Sequence, residues 1–141
     1  MISSKIVGVG SYLPEKVLTN TDLEKFLDTS DAWIYQRTGI KKRHIADKQQ
    51  NTSDLATIAV ERALQNACIN ANDLDALILA TTTPDFIFPA TSVRVQHNIQ
   101  MKSGFAFDIQ AACSGFIYAL QLGDSLIKSK KAKKVAIIGA E

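Results

Sequence analysis

The stretch Phe107-Asp108-Ile109-Gln110-Ala111-Ala112-Cys113-Ser114-Gly115-Phe116-Ile117-Tyr118-Ala119-Leu120 places a cysteine where one element ends and the next begins. Residues 104–109 read as a buried strand, and from Cys113 through Leu122 the apolar residues leave little room for a solvated side. A helix apolar on nearly every face belongs in a core. Its unpaired N-terminal amides then point at the thiol, and their partial positive charge favours thiolate over thiol. The dipole alone is a weak activator, since a helix terminus contributes ~0.3–1 kcal/mol and about 2 at most when buried, while desolvation opposes it. A competent nucleophile here wants a second partner, usually histidine. Position alone leaves Cys113 open to two readings, a nucleophile or a small core hydrophobe. Gly115 is expected to keep the first turn open to a substrate carbonyl.

Cys68 is the contrast. It ends the apolar edge of a surface helix with no glycine and no helix start beside it, so it is expected to pack. The two cysteines lack the framework of a small disulfide-bonded secreted domain, and neither a C-x-x-C pair nor a Cys/His ligand spacing occurs, which argues against a metal site.

Outward from that junction, the pattern alternates strands with helices. Residues 5–10 read as a buried strand, and Asn20 or Thr21 as the cap of a short helix, with Thr21 and Glu24 matching a capping box. A second helix starts at Ser30-Asp31, runs through Arg37 and is stopped by Thr38-Gly39. A longer amphipathic helix opens at Thr52 or Ser53. The apolar run 75–82 has the character of a strand buried on both faces of a parallel sheet. Thr83-Pro84-Asp85 turns the chain, Pro89 starts another helix to about Asn98, and residues 134–139 form the last strand, with an uncovered edge. No hairpin register is visible, so the expectation is an α/β fold with a mostly parallel sheet and helices on both faces.

The composition is that of an ordinary globular chain: 141 residues, 46% hydrophobic, 21% charged, net charge +2. The N-terminus lacks a signal-peptide pattern and no apolar run reaches membrane-spanning length, so a cytoplasmic protein without membrane partners is expected. Basic residues cluster at 41–44 and 128–134 without interleaved aromatics, which suits solvated faces better than a nucleic-acid surface.

The run 107–120 closely resembles the nucleophile motif of β-ketoacyl-acyl-carrier-protein synthase III, a family of thiolase-fold condensing enzymes. Separate stretches in the same order carry the resemblance over the whole chain: Gly8-x-Gly10-Ser11-Tyr12-Leu13-Pro14, Thr29-Ser30-Asp31-x-Trp33-Ile34-x-x-Arg37-Thr38-Gly39-Ile40, and Thr81-Thr82-Thr83-Pro84-Asp85-x-x-Phe88-Pro89. The resemblance implies that Cys113 is the nucleophile. It further implies that Trp33 and Arg37, four residues apart on one helix face, stack on either side of the adenine of coenzyme A with Thr29 close by. Indole offers a flat π surface and guanidinium a planar cation suited to stacking and phosphate. Phe88 would cross a dimer interface to shape the neighbouring subunit's acyl pocket.

In the resembled enzymes the thiol works with a His and an Asn from the second half of the chain, and neither His44 nor His97 lies in a matching motif. The 141 residues are therefore expected to be a truncated N-terminal thiolase-like domain, without the C-terminal half. The implied activity is initiation of fatty-acid synthesis. An acyl-coenzyme A, acetyl in the simplest case, acylates the cysteine, and malonyl-acyl-carrier protein then condenses with it, with no cofactor and in a homodimer. An inactive truncated fragment, a thioester-binding or interaction module, and a starter-condensing enzyme of polyketide synthesis are the alternatives.

Overall fold

The computed structural model describes residues 3–141, which form two units: one takes the N-terminal segment to Tyr12 together with Asn51–Glu141, the other Leu13–Gln50.

The larger unit is built on a parallel sheet. Strand β3 (Ala76–Ala80) is central, with β4 (Phe105–Ile109) on one side and β5 (Val135–Gly139) on the other. All five residues of β3 are buried, as a strand covered on both faces requires. Its alternation divides the core. Leu77 and Leu79 face a cluster with Ala56, Val60 and Leu64 of α3 (Thr52–Ala67) and Val95 of α4 (Thr91–Asn98). Ile78 and Ala80 face Ala119 of α5 (Gly115–Lys128). Helices thus cover both faces, as the alternating pattern predicts, and β5 is an edge strand among the described residues.

Three expectations in this unit are corrected. Residues 5–10 are extended and largely exposed and join no ladder. They lie instead along α3, where a Cβ on Gly8 would stand 2.5 Å from the Ala63 carbonyl oxygen and one on Gly10 2.3 Å from the Ala63 nitrogen. Both glycines are there because backbone touches backbone. Val9 N–H donates to Asn66 Oδ1 at 2.9 Å and Arg62 donates to Ser11 O at 2.7 Å, so side chains of α3 replace strand partners. Second, Cys68 is not packed. It is the C-cap of α3 in the left-handed region (φ 55°), a conformation that turns the chain out of the helix and leaves the thiol exposed.

Third, α5 is not enclosed. Its buried stripe is Gly115, Ala119 and Gly123, while Phe116, Ile117, Tyr118 and Leu122 are 44%, 62%, 51% and 40% exposed. The small residues let the helix lie close on the sheet: a Cβ on Gly123 would meet Ile137 Cδ1 at 2.6 Å, and one on Gly115 would sit 3.2 Å from Ala80 Cβ. The large apolar side chains stand outside that stripe, and no further element among the described residues packs over their exposed side. Gly115 is itself buried against β3, so its role is close packing rather than an open path to a substrate.

The smaller unit holds an antiparallel pair, β1 (Lys16–Thr19) with β2 (Lys42–Ile45), and two short helices. The parallel-sheet pattern did not anticipate it, and most of the basic run 41–44 lies in strand β2. Helix α1 (Asn20–Leu23) is capped by Thr19, and the reciprocal capping box is Thr19 with Asp22, two residues before the expected Thr21–Glu24 box. Helix α2 (Asp31–Thr38) begins and ends where its sequence signals place it. Ser30 Oγ accepts from Trp33 N–H at 3.1 Å, and Gly39 closes the helix in the left-handed region (φ 70°).

Candidate active site

In a parallel sheet, ligands collect outside the carboxyl ends of the strands. The three strands of the larger unit end together there, tied by Thr81 N–H to Ile109 O at 3.1 Å and Ala140 N–H to Ala80 O at 3.2 Å. Cys113 leaves β4 on this edge. It sits in a single tight turn, Ala112–Ser114, from which α5 continues at Gly115. Ala112 has φ 44°, a left-handed conformation that costs a residue with a Cβ ~1–2 kcal/mol. A strained residue immediately before a nucleophile candidate is a feature that periodicity cannot reveal. The thiol is exposed rather than packed, so the reading of Cys113 as a core hydrophobe does not hold in this chain. Ser114, the N-cap of α5, makes no side-chain capping bond, which leaves the first-turn amides to other partners. Phe116 packs over the end of β5, where a Cβ on Gly139 would be 3.2 Å from its ring.

The same edge carries a clasp that sequence reading missed. Glu141 accepts hydrogen bonds from Thr82 N–H at 3.0 Å, Thr82 Oγ1 at 2.8 Å and Thr83 Oγ1 at 3.0 Å. Burial pushes its carboxyl up, but these hydrogen bonds outweigh that and hold it below the ordinary glutamate value. The three threonines after a buried strand were the signal; their partner is 58 residues or more away in sequence and therefore invisible to local pattern.

Phe88 lies in the loop between β3 and α4 and is 88% exposed, with Ile87 beside it fully exposed. It anchors nothing in this chain. Asp85 fixes the base of the loop. Its Oδ1 accepts from Ser53 N–H at 2.9 Å, its own N–H donates to Thr91 Oγ1 at 3.0 Å, and Arg94 lies 3.4 Å from Oδ2. Arg94 also covers the ring of Phe86 at 5.2 Å.

In the smaller unit, α2 brings Trp33 and Arg37 together. The guanidinium carbon stands 4.3 Å over the indole, a cation–π contact on an exposed face where Trp33 is 52% accessible. A base inserted between them needs about 7 Å, twice a van der Waals separation. As they stand the two side chains hold each other, and about half of the indole is exposed to solvent. Thr29 is half-buried just before the helix, its N–H bonded to Leu27 O at 3.0 Å. His44 Nδ1 donates to Pro14 O at 2.5 Å, and His97 is exposed on α4. Among the described residues no three His, Cys, Asp or Glu side chains gather as metal ligands, and no helix is long and apolar enough to cross a membrane.

The model of the 3-oxoacyl-[acyl-carrier-protein] synthase III family matches residues 107–141. Similarity to individual proteins extends over the whole chain. It is 54% identical over 141 residues to a β-ketoacyl-[acyl-carrier-protein] synthase III of Ehrlichia canis, covering 100% of this chain and 44% of that protein. A relative of the same name from Thiobacillus denitrificans is also 54% identical, again over 100% of this chain and 44% of its own length. The crystal structure of 3-oxoacyl-[acyl-carrier-protein] synthase III from Aquifex aeolicus superposes with a TM-score of 0.92 at 55% identity, covering 97% of this chain and 44% of that one. A priming β-ketosynthase of a polyketide pathway superposes with a TM-score of 0.87 at 30% identity, over 91% of this chain and 38% of that one. The chain thus spans less than half the length of the relatives it matches.

Proposed function

Taking the chain as what it corresponds to, the N-terminal portion of a β-ketoacyl-acyl-carrier-protein synthase III, we propose that it supplies the nucleophile and part of the coenzyme A site of a condensing enzyme that initiates fatty-acid synthesis. Cys113 attacks the thioester carbonyl of an acyl-coenzyme A, the coenzyme A thiolate leaves, and the acyl group is carried on sulfur. Malonyl-acyl-carrier protein then loses carbon dioxide, its carbanion attacks the acyl carbonyl, and the Cys113 thiolate is released. Hydrogen-bond donors that stabilise the enolate oxygen in the second step come from the C-terminal portion of the complete protein. Trp33 offers its exposed indole to adenine, Arg37 beside it supplies charge to phosphate, and Thr29 lies at the rim. Phe88 reaches from its exposed loop into the acyl pocket of a partner subunit in a homodimer.

The observation that carries this reading is the exposed thiol of Cys113 on a strained turn at the carboxyl edge of the sheet, in a chain that matches the relatives from end to end. The uncovered side of α5 supports a companion proposal, that the C-terminal portion packs on Phe116, Ile117, Tyr118 and Leu122 and that the 141 residues alone are inactive. The polyketide alternative draws on a more distant likeness, 30% identity against 55%. The test is to co-express the chain with the C-terminal portion of a relative, incubate it with acetyl-coenzyme A, and map the acetyl group by mass spectrometry. Modification of Cys113 is expected; an unmodified Cys113 in a pair that condenses once malonyl-acyl-carrier protein is added would overturn the assignment.

A further inference from the structure

Asn20 is a polar side chain only 1% exposed, and every hydrogen-bonding group of its amide is used. Its Nδ2 donates to Asp31 Oδ1 and to Ile40 O, both at 2.7 Å, and its Oδ1 accepts from Arg43 Nη2 at 2.9 Å. Asp31 is the first residue of α2, and Ile40 follows its C-cap Gly39. One buried amide therefore grips both ends of the helix that carries Trp33 and Arg37. Arg43 is in turn anchored on β1 through Leu18 O at 3.2 Å, and the Asn20 backbone N–H donates to Lys41 O at 3.2 Å.

The grip matters because α2 is short and, besides the bond that Asp31 N–H donates to Glu24 Oε1 at 2.5 Å, has little else to locate it. Eight residues are too few for a helix to stand alone in water, and its one buried residue is Ile34. We propose that Asn20 is a positioning residue for the Trp33–Arg37 face, fixing the helix so that the indole and guanidinium stay together and the exposed indole is presented to a purine. The inference rests on the reading of that face as an adenine site. Aspartate is the informative replacement: it keeps the shape, loses both donors and sets a carboxylate against that of Asp31.

The test uses the chain co-expressed with the C-terminal portion of a relative, with coenzyme A as the probe. Binding is read by calorimetry, and the environment of Trp33, the only tryptophan of this chain, by emission with the partner portion made tryptophan-free. Asn20→Asp is expected to weaken coenzyme A binding roughly tenfold or more, within the ~100-fold that misplacing a binding group can cost. Its Trp33 emission should shift in the same direction as in Arg37→Gln, while Cys113 alkylates at the wild-type rate. Arg43→Met, which removes the bond orienting the amide and the one to Leu18 O but leaves both Asn20 donor bonds in place, is the second variant and should show a smaller shift of the same sign. Wild-type emission and affinity in both variants, alongside a weakened Trp33→Ala, would overturn the positioning role and leave the adenine site standing. Wild-type affinity in Trp33→Ala would remove the site and the inference with it. A Cys113 rate that falls together with affinity marks general unfolding and counts against a local role.

Discussion

The uncovered side of α5 can be probed by making it polar. Ile117 and Leu122 are 62% and 40% exposed, so between them about one whole apolar side chain of burial is unrealised in this chain, worth ~1.5–3 kcal/mol. If the C-terminal portion covers them, the double variant Ile117→Gln, Leu122→Gln forfeits that gain and buries two amides, each costing ~1–3 kcal/mol when unpaired. The association of the two portions should weaken by roughly 3 kcal/mol or more, about 100-fold in Kd. In the chain alone the same changes fall mainly on the uncovered side of the helix. They should lower binding of a hydrophobic dye, reduce self-association in analytical ultracentrifugation, and leave far-UV circular dichroism unchanged. The reasoning fails if the double variant associates with the C-terminal portion as tightly as wild type, or if the isolated chain loses its secondary structure.

Limited alkylation with peptide mapping should label Cys113 faster than Cys68. Both thiols are exposed, so equal or faster labelling of Cys68 would show that the turn and helix start confer nothing. Trp33→Ala should weaken coenzyme A binding by ~1–3 kcal/mol, the scale of one base–aromatic stack, without changing the alkylation rate of Cys113. Asp75 accepts the Lys133 and Lys134 amides at 2.7 and 3.0 Å, and these hydrogen bonds hold its carboxyl below the ordinary value of 3.8. A depressed folded-state pKa gives stability that is present above that value and lost as pH falls through the lower one. Hydrogen exchange at Lys133 and Lys134 should therefore stay slow near neutral pH and rise on acidification below pH 3.8; a rate independent of pH after correction for intrinsic exchange would refute it.

The elements most legible in the sequence were those whose partners are local or whose burial is complete. Strand β3 announced itself because a run apolar on both faces admits few alternatives, and α2 because Ser30 and Gly39 mark its ends with their own chemistry. The errors share a cause, namely that apolar pattern reports what wants to be buried and not what covers it. Val7 and Val9 suggested a buried strand, yet Gly8 and Gly10 dock the segment on α3 and leave the valine side chains largely in water. In α5 the pattern saw Phe116, Ile117 and Leu122 and could not see that the sheet takes the glycine and alanine stripe instead. The antiparallel pair β1–β2 carries charged residues on short strands, so no hydrophobic alternation advertised it. At the site, Cys113 and the Trp33–Arg37 spacing were legible, whereas the strain at Ala112, the Glu141 clasp and the Asn20 grip are long-range or conformational and needed coordinates.

The central claim is that Cys113 carries the acyl group of a condensation completed by the C-terminal portion. It is tested most directly by malonyl-dependent release of carbon dioxide, measured with acetyl-coenzyme A and malonyl-acyl-carrier protein for the chain alone, for the chain co-expressed with the C-terminal portion, and for the latter with Cys113→Ala. The account predicts release coupled to a β-ketoacyl product only in the co-expressed pair with Cys113 intact. Condensation by the 141-residue chain alone, or undiminished condensation in Cys113→Ala, would contradict it.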